Sequence, residues 1–106
     1  MGMIVYGGSS AELAIDDRAL AHLKVVISTK LRRGESFTLS WQHAVGEEPG
    51  RSSLWLSPSV PLRFIFDDAE PKELSRAWLE DLARSAHVSG NIQLTAEPIP
   101  EFGNAD

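Results

Sequence analysis

The sequence predicts an α+β domain in two layers, a largely antiparallel sheet with two amphipathic helices on one face, in the order β-β-α-β-β-β-α-β. Three observations carry that prediction. Leu20, Leu23, Ile27 and Leu31 recur at helical spacing, and so do Leu74, Trp78, Leu82 and Ala86. Short apolar or alternating runs elsewhere have the period of strands. Gly and Pro fall between the runs rather than inside them.

Met3–Tyr6 is a short apolar run closed by Gly7-Gly8-Ser9-Ser10, and Ala11–Ile15 follows with Leu13 and Ile15 on one face. Together they read as a hairpin with a Gly-rich turn. Asp16 and Asp17 are N-cap candidates for a helix over about residues 17–33. Ala19 and Val26 widen its apolar stripe. Lys30, Arg32 and Arg33 fall in its last turn, where cations are favoured, and Gly34 stops it. His22 faces away from the stripe, which predicts a solvated ring.

Ser36–Gln42 alternates cleanly, with Phe37, Leu39 and Trp41 on one face. A polar loop, His43 to Gly50, leads to a strand over Ser53–Ser57. Pro58 to Pro61 then turns the chain into Leu62–Phe66. Three strands joined this way predict an antiparallel meander. Asp67, Asp68 and Glu70 precede Pro71, a suitable first residue for the second helix. Arg76, Glu80, Arg84 and His87 take its polar side, and Gly90 ends it. Ile92, Leu94 and Ala96 form a last strand. Residues 1–97 are therefore expected to be one domain, and residues 98–106 a flexible tail.

The 106 residues suit one core, and the composition, 42% apolar and 24% charged, is that of a folded globule. There is no cysteine, so disulfides and thiolate metal sites are excluded. That absence suits a reducing compartment, and with no apolar run near the roughly 20 residues of a membrane span, a cytoplasmic protein with no membrane partner is expected. The net charge is −5, unevenly spread. Residues 18–63 hold seven basic residues against three acidic ones, and the remainder holds three against twelve. The acidic total disfavours nucleic acid as a partner, although Lys30, Arg32 and Arg33 form a candidate basic patch.

The chemical motifs are sparse. Gly7-Gly8-Ser9-Ser10 precedes a strand, where a phosphate loop needs a helix. His22, His43 and His87 have no partner histidine at ligand spacing, and no metal or cofactor is predicted. Asp16-Asp17 and Asp67-Asp68 could serve acid/base work, but each pair sits where capping a helix explains it. No Gly-x-Ser-x-Gly elbow occurs. His43, beside Trp41, is the histidine most suited to a polar contact. Trp41, His43, Arg51, Trp55, Arg63 and Ile65 lie on or around the expected meander. If Leu54, Leu56, Phe64 and Phe66 face the helices, then Trp55, Arg63 and Ile65 face outward as a candidate interaction surface. A one-residue slip would reverse that facing.

Several stretches carry a family resemblance. Tyr6-Gly7-Gly8-Ser9, Ile15-Asp16-Asp17-Arg18, Leu20-Ala21-His22-Leu23, Lys30 to Phe37, Gly50-Arg51-Ser52-Ser53 with Trp55-Leu56, Pro58-Ser59 and Pro61-Leu62 resemble a family of short uncharacterised actinobacterial proteins. The likeness runs to about Pro98. Members are sometimes labelled ATP-dependent DNA ligases, and the family pattern often carries His where Ser57 stands here. Such ligases attach AMP to lysine in a Lys-x-Asp-Gly motif. Lys24, Lys30 and Lys72 lie in no such motif.

Three functions follow as expectations. The first is a non-enzymatic interaction module that self-associates or binds a protein partner. The second is a nucleic-acid-associated accessory protein using Arg32, Arg33, Arg51 and Trp41. The third is an enzyme acting on small molecules, with His43 or an acidic pair as acid/base; no catalytic constellation is visible from spacing.

Overall fold

The first helix shows how local signals and tertiary partners divide the work. In the structure, a computed structural model that describes residues 2–7, 11–43 and 46–97, α1 runs Asp17–Arg32. Asp16 caps it, accepting from Ala19 N at 3.1 Å. Asp17 is not a cap. It is buried, and its carboxylate accepts from the backbone N–H groups of Asp67 at 3.1 Å and Asp68 at 2.9 Å. Those two hydrogen bonds hold its carboxyl below the usual range.

The remaining elements are β1 Gly2–Tyr6, β2 Ala11–Ile15, β3 Phe37–Gln42, β4 Arg51–Leu56, β5 Leu62–Ile65, α2 Arg76–Ser89 and β6 Asn91–Gln93. The predicted α+β class and element order are both found. The Gly8–Ser10 part of the predicted turn and the predicted tail at 98–106 lie outside the described residues.

The strands form two sheets rather than one. The first has the order β2-β1-β5 and is antiparallel throughout. The second has the order β4-β3-β6, with β3 antiparallel to β4 and parallel to β6. The expected meander therefore breaks after β4. The reason lies in the connector: Pro61 has no N–H to donate, while its carbonyl accepts from Gly7 N at 2.9 Å. That bond continues the β1–β5 ladder, which runs from Tyr6 opposite Leu62 to Met3 opposite Ile65.

One core joins both sheets and both helices. Ile4, Leu20, Leu23, Ile27, Leu39, Leu56, Leu82 and Ile92 are fully buried in it, each contributing roughly 1.5–3 kcal/mol of hydrophobic stabilisation. Gly2 permits close packing, since a Cβ there would lie 2.6 Å from Leu20 Cδ2 and 2.7 Å from the Ile65 carbonyl. Gly90 ends α2 at φ 74°, the left-handed region that suits glycine.

The second helix starts later than predicted, at Arg76 rather than Pro71. Ser75 is its N-cap, accepting from Trp78 N at 3.2 Å. The residues ahead of it are engaged elsewhere. Asp17 takes two N–H groups, and Asp68 accepts from Glu70 N and Lys72 Nζ. Leu74, expected on the apolar stripe, is 48% exposed ahead of the helix. On the polar side of the helix Arg84 pairs with Asp81 at 3.1 Å rather than with Glu80 one turn away. Among the described residues no helix is long and apolar enough to cross a membrane.

Candidate functional site

His22 departs most from expectation, being fully buried rather than solvated. The α1 stripe that begins at Leu20 faces the core, but α2 covers a second side of α1. There the His22 ring meets Trp78, with centroids 4.5 Å apart. The backbone decides the tautomer. Nε2 accepts from Ser75 N at 2.7 Å, so Nδ1–H donates to the Arg18 carbonyl at 2.7 Å. Both ring nitrogens are thus committed to the fold. Arg18 itself clamps both Glu97 carboxylate oxygens at 2.7 Å. That fork–fork pair raises the guanidinium pKa and lowers the carboxyl's.

His43 sits differently, at the end of β3. Its Nδ1–H donates to the Glu48 carbonyl at 2.8 Å, leaving Nε2 to accept from Ser52 Oγ at 2.8 Å. The hairpin register explains the meeting. Trp41 pairs with Ser52, Gln42 pairs with Arg51, and His43 N donates to Gly50 O at 2.9 Å. Leu54 and Leu56 turn inward on β4, so Ser52 does too. An open cavity of about 720 Å3 lies against His43, lined also by Trp41, Leu13, Ile15, Leu94, Asp16, Glu47 and Glu48. Ser52 was visible in the sequence only as part of the family resemblance, since alternation alone does not pair it with His43.

The six residues of the candidate surface divide among three settings. Trp41 and His43 are half-buried beside the cavity. Arg51 and Trp55 project from the outward face of the second sheet, where Trp55 is 58% exposed. Their neighbours are polar: Thr38 and Ser40 hydroxyls both donate to Asn91 Oδ1, at 2.6 and 2.7 Å. Arg63 and Ile65 project from the first sheet, paired with Val5 and Met3.

The basic patch also divides. Lys30 is largely covered and bonds Glu35 at 3.0 Å. That hydrogen bond holds the Glu35 carboxyl below its ordinary value, with Arg33 and His87 adding to the field. Arg32 is exposed. Lys30 and Arg33 line a groove of about 450 Å3 between α1 and α2. Across it stand Arg76 and His87, which sequence spacing gave no reason to join to the patch. Val25, Val26, Leu79 and Ala83 supply its apolar lining, and Glu80 its acidic group. Val25 also lines an adjoining depression of about 480 Å3 with Phe66, Pro71 and Leu74.

The acidic pairs converge without forming a metal centre. Asp16, Asp17, Asp67 and Asp68 share one surface depression, and backbone N–H groups occupy the carboxylates of Asp16, Asp17 and Asp68. Among the described residues no group of three or more His, Asp or Glu side chains is placed to hold a metal ion.

No curated protein and no solved structure matches the chain. The model of the family described as Domain of unknown function (DUF7882) matches residues 1–97, and the chain belongs to that family.

Proposed function

We propose that the domain is a protein-interaction module that receives an acidic amphipathic segment of a partner in the trough between α1 and α2. The carrying observation is the pairing of an apolar floor with a cationic rim. Val25, Leu79 and Ala83 supply the floor, and Lys30, Arg33 and Arg76 outnumber Glu80 around it, with His87 beside them. The adjoining depression extends the apolar surface past Val25 to exposed Leu74. An amphipathic helix laid in such a groove buries its apolar stripe while its carboxylates meet the cations.

A short acidic segment fits better than a long polyanion. The chain outside residues 18–63 carries twelve acidic residues against three basic ones, which repels an extended phosphate backbone beyond the groove. The nucleic-acid reading uses Arg32, Arg33, Arg51 and Trp41, and of these only Arg33 lines the trough, while Arg51 and Trp41 belong to the second sheet. The ligase label has no adenylation lysine to rest on, since Lys24, Lys30 and Lys72 lie in no Lys-x-Asp-Gly motif. Self-association through the sheets has divided support, because Trp55 and Ile65 belong to different sheets.

Binding of a fluorescent acidic amphipathic helical peptide tests the proposal, with a sequence-shuffled peptide and a DNA duplex as competitors. Micromolar binding that prefers the ordered peptide is expected. Arg33→Glu with Arg76→Glu should weaken it at least about tenfold, which is about 1.4 kcal/mol. Preferred binding of the duplex would replace this reading with the nucleic-acid one. Dimerisation by light scattering, with no peptide affinity, would replace it with self-association.

A further inference from the structure

We infer that Ser52 is an activated nucleophile and that the domain carries a Ser–His acyl-transfer site distinct from the α1–α2 trough. The inference starts from the donor and acceptor chemistry of three groups. The Glu48 carbonyl can only accept, so His43 Nδ1 holds the proton and Nε2 is left with its lone pair. That lone pair meets Ser52 Oγ at 2.8 Å. A nucleophile within hydrogen-bond reach of a base, with the base oriented by a third group, is the geometry of an activated hydroxyl. Here a backbone carbonyl takes the orienting place that a carboxylate takes in the Ser-His-Asp arrangement.

Closing the turn does not require this geometry. The backbone bond from His43 N to Gly50 O already closes it, and the Nδ1–H bond to Glu48 already fixes the ring. The serine contact is additional, and the cavity of about 720 Å3 is lined by the same imidazole, with Ser52 one hydrogen bond behind that lining. That volume lies within the range of small-molecule sites. Leu13, Ile15, Trp41 and Leu94 offer an apolar wall for an acyl chain, while Asp16, Glu47 and Glu48 disfavour an anionic substrate. The substrate class is therefore a neutral or cationic carboxylic ester.

The chemistry balances with water as the only co-reactant. Ser52 Oγ attacks the ester carbonyl carbon as its proton passes to His43 Nε2. The carbon–oxygen bond to the alcohol breaks, and the departing alkoxide takes that proton, leaving acyl-Ser52. Water then attacks the acyl carbon while His43 takes one of its protons, and Ser52 Oγ leaves carrying that proton. The sum is ester plus water giving carboxylic acid plus alcohol.

The test is labelling of the full chain with a fluorophosphonate, which forms an Oγ–P bond and expels fluoride. The labelled residue is mapped by mass spectrometry. Ser53 is the internal control, because it is exposed and bonds the Ser40 hydroxyl instead of an imidazole. Labelling at Ser52 at least about 100-fold above Ser53 is expected, in line with general-base assistance. Ser52→Ala should abolish it, along with the burst of alcohol release from an activated aryl ester. His43→Ala should lose labelling and regain it with added imidazole, a rescue that a purely structural role would not show. Absent labelling, labelling spread over several serines, or labelling at Ser52 indifferent to His43 would overturn the inference.

Discussion

The surroundings of His22 and His43 set a buried joint against an open turn. Both imidazoles donate through Nδ1–H to a backbone carbonyl. They differ at Nε2. In His22 it accepts a backbone N–H, from Ser75 at the start of α2, and the ring is fully buried against Trp78. In His43 it accepts a side-chain hydroxyl, and the ring borders a cavity. A backbone donor cannot leave its place without moving a helix end, so His22 is spent on the fold. A serine hydroxyl can rotate or react, so His43 remains available for chemistry. The same residue type becomes structure or candidate site according to what its second nitrogen meets.

The largest expected effect lies on the buried side. His22→Ala leaves the Ser75 N–H without its acceptor and a cavity beside Trp78, and should cost about 2–4 kcal/mol in denaturant unfolding. Amide exchange at Ser75 and in the first turn of α2 should rise in the same variant. A loss as small as that of an exposed position would break the comparison.

Acid comes next. Asp17, Asp68, Glu35 and Glu97 all have carboxyl pKa values lowered in the folded chain, through hydrogen bonds from backbone N–H groups, Lys30, Lys72 or Arg18. The stability they contribute is present above the ordinary carboxylate range, near about 4, and is lost as pH falls through it toward the folded values. The thermal midpoint should fall steeply below that range and stay nearly level above it. Asp17→Asn should flatten the fall, because Asn keeps the shape but does not titrate.

Ser52→Ala should cost less, about 0.5–1.5 kcal/mol, since it removes one half-buried hydrogen bond and leaves the β3–β4 backbone pairing in place. Calorimetry on Ser52→Ala beside His22→Ala measures the contrast directly. The smallest effect is expected at Trp55→Ala, within roughly 0.5 kcal/mol, since that side chain projects from the second sheet.

Much of the fold was legible because its signals are local. The cap at Asp16 and the stripes through Leu23 and Leu82 depend on residues within a few positions, so α1 and the body of α2 match the reading. The start of α2 does not. Pro71 is an acceptable first helical residue, but His22, 53 positions away, takes the N–H of Ser75, which a helix begun at Pro71 would have bonded to the Pro71 carbonyl. The candidate site was half legible. His43 stood out beside Trp41, while Ser52 did not, because the strand register that brings it to the imidazole is a tertiary fact. Arg76 and His87 were read as the polar side of one helix, and only the packing of α2 on α1 sets them across a groove from Arg33.

By itself the sequence determined the α+β class, the order of eight elements and the apolar faces that form the core. Periodicity and capping act over one or two turns, and no partner is needed to read them. The tertiary structure alone decided that the strands divide into two sheets, that β5 joins β1, and which histidine is buried. Strand pairing and the second face of a helix depend on contacts between distant residues. Alternation reports which side a residue takes, not which neighbour it meets.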